Sequence, residues 1–172
     1  MKINFVFLAA LAGTCALQAQ MPASHIAESK QRFGVIKNNV IRAAEAMPEE
    51  DYAFKPTPDI RSFGELMAHV ADAQANICGA ATGQRKPVNA AGKKTKAELV
   101  AALKESAASC EAGFDATTEA NAVEPVSMGQ MKTSRLGLLE YNNGHDLEEY
   151  GYMAVYLRMK GVVPPTSAGP GR

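Results

Sequence analysis

Apolar residues recur every three to four positions in four long stretches of the chain, which is the period of an amphipathic helix. In the first stretch, about Ser24 to Met47, one face carries Ile26, Phe33, Ile36, Val40, Ile41 and Ala44. Ser24 is placed to cap its start, and Pro48 stops it. The second stretch opens on Ser62-Phe63-Gly64-Glu65, runs to about Ala81 and ends at Gly83. Ser62 and Glu65 have capping-box spacing, in which each side chain satisfies an orphan backbone N–H of the first turn. A second such box, Thr95 and Glu98, opens the third stretch, whose face carries Leu99, Ala102, Leu103, Ala107, Cys110 and Phe114. The fourth runs from about Ser134 to Lys160, ended by Gly161 and the pair Pro164-Pro165. Prolines and polar residues make loops of 48–61 and 82–94. Residues 117–133 read as a mostly irregular link. No strand alternation is visible. Four amphipathic helices joined by loops predict an all-α four-helix bundle.

Composition narrows what such a bundle does. A length of 172 residues suits one domain. Lys+Arg 18 balances Asp+Glu 18, so no basic face is in surplus for nucleic acid. Trp is absent and aromatics are only 6%, which argues against base-stacking platforms. At the N-terminus, Lys2 precedes the apolar run Ile3–Leu17, and Ala19 offers a small residue for cleavage. That is the outline of a secretory signal peptide over residues 1–19. The run is shorter than the roughly 20 residues a spanning helix needs, so no stable membrane insertion is expected after cleavage. The expected mature protein is exported, periplasmic or extracellular, with a helical domain over 20–165 and a disordered tail over 166–172. Cleavage leaves Cys78 and Cys110. An oxidising compartment permits a disulfide between them; two buried thiols are the alternative.

Polar residues stand where the helix seams should be apolar. Steps of four and three along the fourth helix give Leu138, Asn142, His145, Glu149, Tyr152, Tyr156 and Met159. The same walk along the second gives Leu66, His69, Ala73, Asn76 and Ala80. A buried imidazole or carboxylate must find a partner. His145 and Glu149, at i and i+4, project from one face, and His69 would reach across from a facing helix. A divalent metal is the simplest shared partner, and two imidazoles with one carboxylate leave coordination positions open, as in catalytic zinc or iron sites. Two plainer readings stand beside it. In one the histidines are simply hydrogen-bonded in the core; in the other the neighbouring Glu148, rather than Glu149, is the inward acid. His25 is expected to be exposed and is given no role.

Two segments carry a resemblance. "AEAMPEEDYAFKPTPDIRSFGELMAHVADAQ" and "NNGHDLEEYGYMAVYLRMKGVVPP" are similar to the loop-plus-helix and the last helix of the DinB-like (YfiT-related) superfamily, and most similar to its exported branch. The resemblance implies a bundle with up-down-down-up connection, one divalent ion (often nickel or zinc) on three histidines, and a homodimer built through helix faces. His69 matches the first ligand and His145 the second. Glu149 stands where the family usually has its third histidine. The implied function is that of a divalent-metal-dependent enzyme (zinc, nickel or iron) of hydrolase or thiol-transferase type, acting on a small molecule. Glu148, Asn142 and Tyr152 are the candidates to position substrate or move a proton. The alternative is a non-catalytic exported module that binds a ligand or partner, in which His69, His145 and Glu149 satisfy one another without metal. No nucleic-acid partner is expected.

Overall fold

The computed structural model describes residues 24–169, so the signal peptide expected over 1–19 lies outside the described residues. In chain order the elements are α1 (His25–Ala46), α2 (Phe63–Thr82), α3 (Lys96–Asp115), β1 (Pro125–Met128), β2 (Met131–Ser134) and α4 (Arg135–Met159). Single 3-10 turns sit at Glu49–Asp51 and Ala90–Gly92. Each long helix starts where a capping side chain is available. Ser24 accepts from Ala27 N–H, and Ser134 accepts from Gly137 N–H. Both expected capping boxes, Ser62 with Glu65 and Thr95 with Glu98, are closed in both directions. Gly83 ends α2 in the left-handed region at φ 73°, which glycine adopts without steric penalty.

The helices are held by their apolar faces. α2 packs against α3 and α4, and α1 against α4 and α3. The core falls into two clusters. One gathers Met47, Tyr52, Phe63, Met67, Leu103, Met153 and Leu157. The other gathers Phe33, Ile77, Phe114, Leu138 and Leu139. Between them, on three helices, lies a layer of buried polar side chains: Gln74 on α2, Ser106 on α3, and Asn142 and Asp146 on α4. Of the two cysteine alternatives, the disulfide holds. Cys78 of α2 is bonded to Cys110 of α3, with Cα atoms 5.0 Å apart.

Three expectations need correction. The link before α4 is not wholly irregular. β1 and β2 pair antiparallel, from Pro125↔Ser134 to Met128↔Met131. Each strand has four residues, too few for alternation to stand out. Gly129, at φ 60°, opens the two-residue turn between them. The tail does not lose order at 166. Thr166 N–H donates to the Tyr150 hydroxyl at 3.0 Å, and Arg158 Nη2 donates to Ser167 Oγ at 2.7 Å. The buried ring of Tyr150 brings its hydroxyl to that turn.

The third correction is to the seam. Tyr152 and Met159 are 50% and 53% exposed, and Asn76 is exposed as well. Strict steps of four and three assume 3.5 residues per turn. A straight helix has 3.6, so the walk drifts by about 20° per heptad and leaves the core. The buried stripe of α4 runs instead through Asn142, Asp146, Tyr150, Met153 and Leu157. No helix among the described residues is long and apolar enough to cross a membrane.

Candidate metal centre

His69 reaches inward from α2 and meets His145 and Glu149, one turn apart on α4. The Nε2 atom of His69 lies 3.3 Å from Glu149 Oε1 and 3.3 Å from His145 Nε2. His145 Nε2 lies 3.7 Å from the same carboxylate oxygen. One donor atom from each residue falls within 4.8 Å of the other two, close enough for one cation to touch all three. Side-chain exposure is 32% for His69, 14% for His145 and 9% for Glu149, so the group is buried on the α4 side and open on the α2 side. Glu149 Oε2 is buried and has no hydrogen-bond partner among the described residues. Between the two candidate acids, Glu149 is the inward one.

Behind the cluster stands a chain of hydrogen bonds. His145 Nδ1 is 3.2 Å from Asp146 Oδ1. The other oxygen, Asp146 Oδ2, accepts from Gln74 Nε2 at 2.6 Å and from Asn142 Nδ2 at 2.9 Å. Gln74 Oε1 in turn accepts from Ser106 Oγ at 2.6 Å. Asp146 and Ser106 have no exposed surface at all. The two imidazoles are driven in opposite directions. The hydrogen bond to Asp146 holds His145 above the ordinary histidine value, against the pull of burial. Burial holds His69 below it, helped by the positive charge of Arg61 and opposed by Glu149.

A cleft of about 900 Å³ opens beside His69, its walls including Tyr52, Arg61, Asp72, Lys93 and Lys94. The Tyr156 hydroxyl donates to the Arg61 carbonyl at 2.7 Å, tying α4 to the chain just ahead of α2. The three candidates for substrate handling fare differently from the three clustered residues. Asn142 is fully buried and faces Asp146 rather than the cleft. Glu148 and Tyr152 lie on the solvent side of α4, bonded to each other at 3.1 Å, and neither belongs to the cluster. Asp146, Gln74 and Ser106 do not stand out from steps of four and three along the helices, and only the packing reveals them. His25 is exposed, as expected.

The sequence profile of the DinB superfamily matches residues 35–153, a span that contains His69, His145 and Glu149. Among solved structures, a DinB-like protein from Bacillus cereus superposes with a TM-score of 0.71 at 11% identity, covering 84% of this chain and 98% of that one. A DinB-like protein from Bacillus subtilis superposes with a TM-score of 0.65 at 20% identity, covering 78% of this chain and 92% of that one. At such identities the likeness speaks for the fold alone. No curated protein matches the chain.

Proposed function

The chain belongs to the DinB superfamily, and from that premise we propose that it is a divalent-metal-dependent enzyme acting on a small molecule, built as a four-helix bundle. The observation that carries the reading is the meeting of His69, His145 and Glu149 donor atoms within 4.8 Å. Charge supports it. Asp146 and Glu149 are both buried, and among the described residues their only ion-pair partners are the two histidines. With the imidazoles neutral, two negative charges sit in the core, and a divalent cation would balance them. The residues present fit such an ion. Two neutral nitrogens and one carboxylate suit zinc, nickel or iron, and the orphaned Glu149 Oε2 is an acceptor with nothing yet to accept from.

His69, His145 and Glu149 would hold the ion, which supplies Lewis acidity that lowers the pKa of a bound water or thiol. The surrounding residues give that chemistry its setting. The half-exposed edge at His69 faces the cleft, so a substrate entering there reaches the open side of the centre. Arg61 places a positive charge on that wall. Water-derived and thiol-derived nucleophiles suit this arrangement equally, which keeps hydrolase and thiol-transferase chemistry together in the proposal.

Two further features belong to it. We place the protein in the exported branch, in the periplasm or outside the cell; the N-terminal apolar run and the Cys78–Cys110 bridge support this, since disulfides persist in oxidising compartments. A second copy of the chain is the proposed protein partner. The outer face of α4 exposes Tyr141, Leu147, Tyr152, Val155 and Met159, and a helix apolar on both faces is usually covered on both. Sedimentation velocity checks this, with a single monomeric species as the opposing result.

Protons and metal compete for the same imidazole nitrogens, so metal affinity is expected to fall with acid. His145, held above the ordinary histidine value, is the ring that gives up its proton later as pH rises; His69, held below it, gives it up earlier. Affinity should therefore climb as pH rises through the histidine range, with a proton released on binding wherever His145 is still charged. Calorimetric titration in buffers of different ionisation enthalpy counts that proton; a pH-independent affinity between 6 and 8 contradicts the assignment.

Mass spectrometry of protein purified without an affinity tag tests the reading directly. One equivalent of a divalent transition metal per chain is expected. A chain that carries none, and whose stability is unmoved by chelator, is instead a non-catalytic module in which the three side chains satisfy one another.

A further inference from the structure

We infer that Asp146 is the positioning residue of this centre: its hydrogen bond to His145 Nδ1 fixes that ring so that Nε2 turns a lone pair toward His69 and Glu149, and Gln74 with Ser106 holds Asp146 in place. The inference rests on the metal-site reading above. It starts from the direction of each hydrogen bond. Ser106 Oγ donates to Leu103 or Gln74, and Gln74 Oε1 is its side-chain acceptor at 2.6 Å. With its oxygen so occupied, the Gln74 amide turns its NH₂ to Asp146 Oδ2, 2.6 Å away. Asn142 also presents its NH₂ to that oxygen. Two donors therefore saturate Oδ2 and orient the carboxylate, leaving Oδ1 aimed at the imidazole 3.2 Å away.

A carboxylate with two donors on one oxygen is an acceptor toward the ring. His145 must then carry its hydrogen on Nδ1, and Nε2 is left with the lone pair a cation needs. The alternative tautomer would point a hydrogen from Nε2 into the cluster and leave Nδ1 facing carboxylate oxygen, two acceptors against each other. Among the described residues, no lysine or arginine is paired with Asp146 to explain its burial otherwise. The chain also draws in α3, which supplies no member of the cluster itself: Ser106 on α3 steadies Gln74 on α2, which steadies Asp146 on α4.

The test reads the tautomer and the ion separately. In metal-free wild type above neutral pH, imidazole ¹⁵N chemical shifts are expected to show His145 protonated on Nδ1; protonation on Nε2 overturns the inference without any variant. Asp146→Asn is expected to reverse the ring. Its amide must give its oxygen to Gln74 and Asn142, which turns its NH₂ to Nδ1 and moves the hydrogen to Nε2. Zn²⁺ affinity, by competition with a chromogenic chelator, should weaken about 10–100-fold, as for other outer partners of metal-bound histidines. Ser106→Ala, a milder change that guards against failure of Asp146→Asn to fold, should weaken Zn²⁺ binding in the same direction by less. Folded variants with wild-type affinity and an unmoved tautomer make Asp146 a packing residue only and overturn the inference. Wild type that binds no Zn²⁺ is a different failure: it removes the metal-site reading itself.

Discussion

His69→Ala and His145→Ala should both strip the ion from the protein, yet only the second should weaken the fold. Each removes one of three donors. Loss of a ligand should exceed the 10–100-fold typical of losing an outer partner, so Zn²⁺ affinity is expected to fall by more than about 100-fold in either variant. The difference lies behind the ligands. His69 is a third exposed and its removal opens the cluster to water from the cleft. Truncating His145 also takes the partner from Asp146 Oδ1, in a place with no exposed surface. A buried carboxylate left without a partner is destabilising by about 3 kcal/mol or more, softened here by the two amides on Oδ2. His69→Ala should cost about 1 kcal/mol or less, in line with a partly exposed side chain outside the core clusters. Metal content by mass spectrometry and urea unfolding of the metal-free proteins give the two readouts. Equal stabilities would show that Asp146 does not depend on His145, and retained metal in His69→Ala would remove α2 from the site.

The Cys78–Cys110 bridge should carry the second large effect. Its cysteines are separated by 32 positions, and closing a loop of that size limits the unfolded chain by about 4 kcal/mol in the chain-entropy account. Both residues are fully buried, so a double Cys78→Ala, Cys110→Ala variant adds a small packing loss. Urea unfolding with and without reductant is the measurement. Wild type should shift to lower urea on reduction, and the double variant should be indifferent to reductant. A wild-type midpoint that reductant leaves untouched would mean the two thiols are free in solution.

The helix ends were legible because they rest on local chemistry. Ser24, Ser62, Thr95 and Ser134 each cap the helix that follows, a matter of three or four neighbouring residues. The three cluster residues were legible for a related reason: an imidazole or a carboxylate on an apolar stripe is conspicuous against leucine and alanine. Asp146 is not legible on a 3.5-residue walk, which passes through its neighbour His145 instead. At the true period it continues the stripe Leu139, Asn142, Asp146, Met153 and Leu157. Tyr152, which the same 3.5-residue walk puts on the seam, and Glu148, the neighbour of Glu149, both lie on the solvent side of α4. The hairpin and the ordered turn after Pro165 depend on long-range packing. Val126, Met128 and Met131 lean on the second core cluster, and Thr166 is held by Tyr150 sixteen residues earlier. Neither contact has a local signature.

The polar layer between the two apolar clusters also limits how the helices can slide. Leucine and alanine faces tolerate a one-turn slip, since one methyl group serves about as well as another. Asp146 does not: moved by a turn, it would leave Gln74, Asn142 and His145 behind and bring a bare charge against the rings and methyls of either cluster. That penalty, several kcal/mol for an isolated buried ion, makes the present alignment of α4 against α2 the one arrangement the layer accepts. The same four side chains that stand behind the centre thus act as an indexing pin for the whole assembly. Variants that replace them all with aliphatic residues should fold more stubbornly and less uniquely, trading a single registry for several.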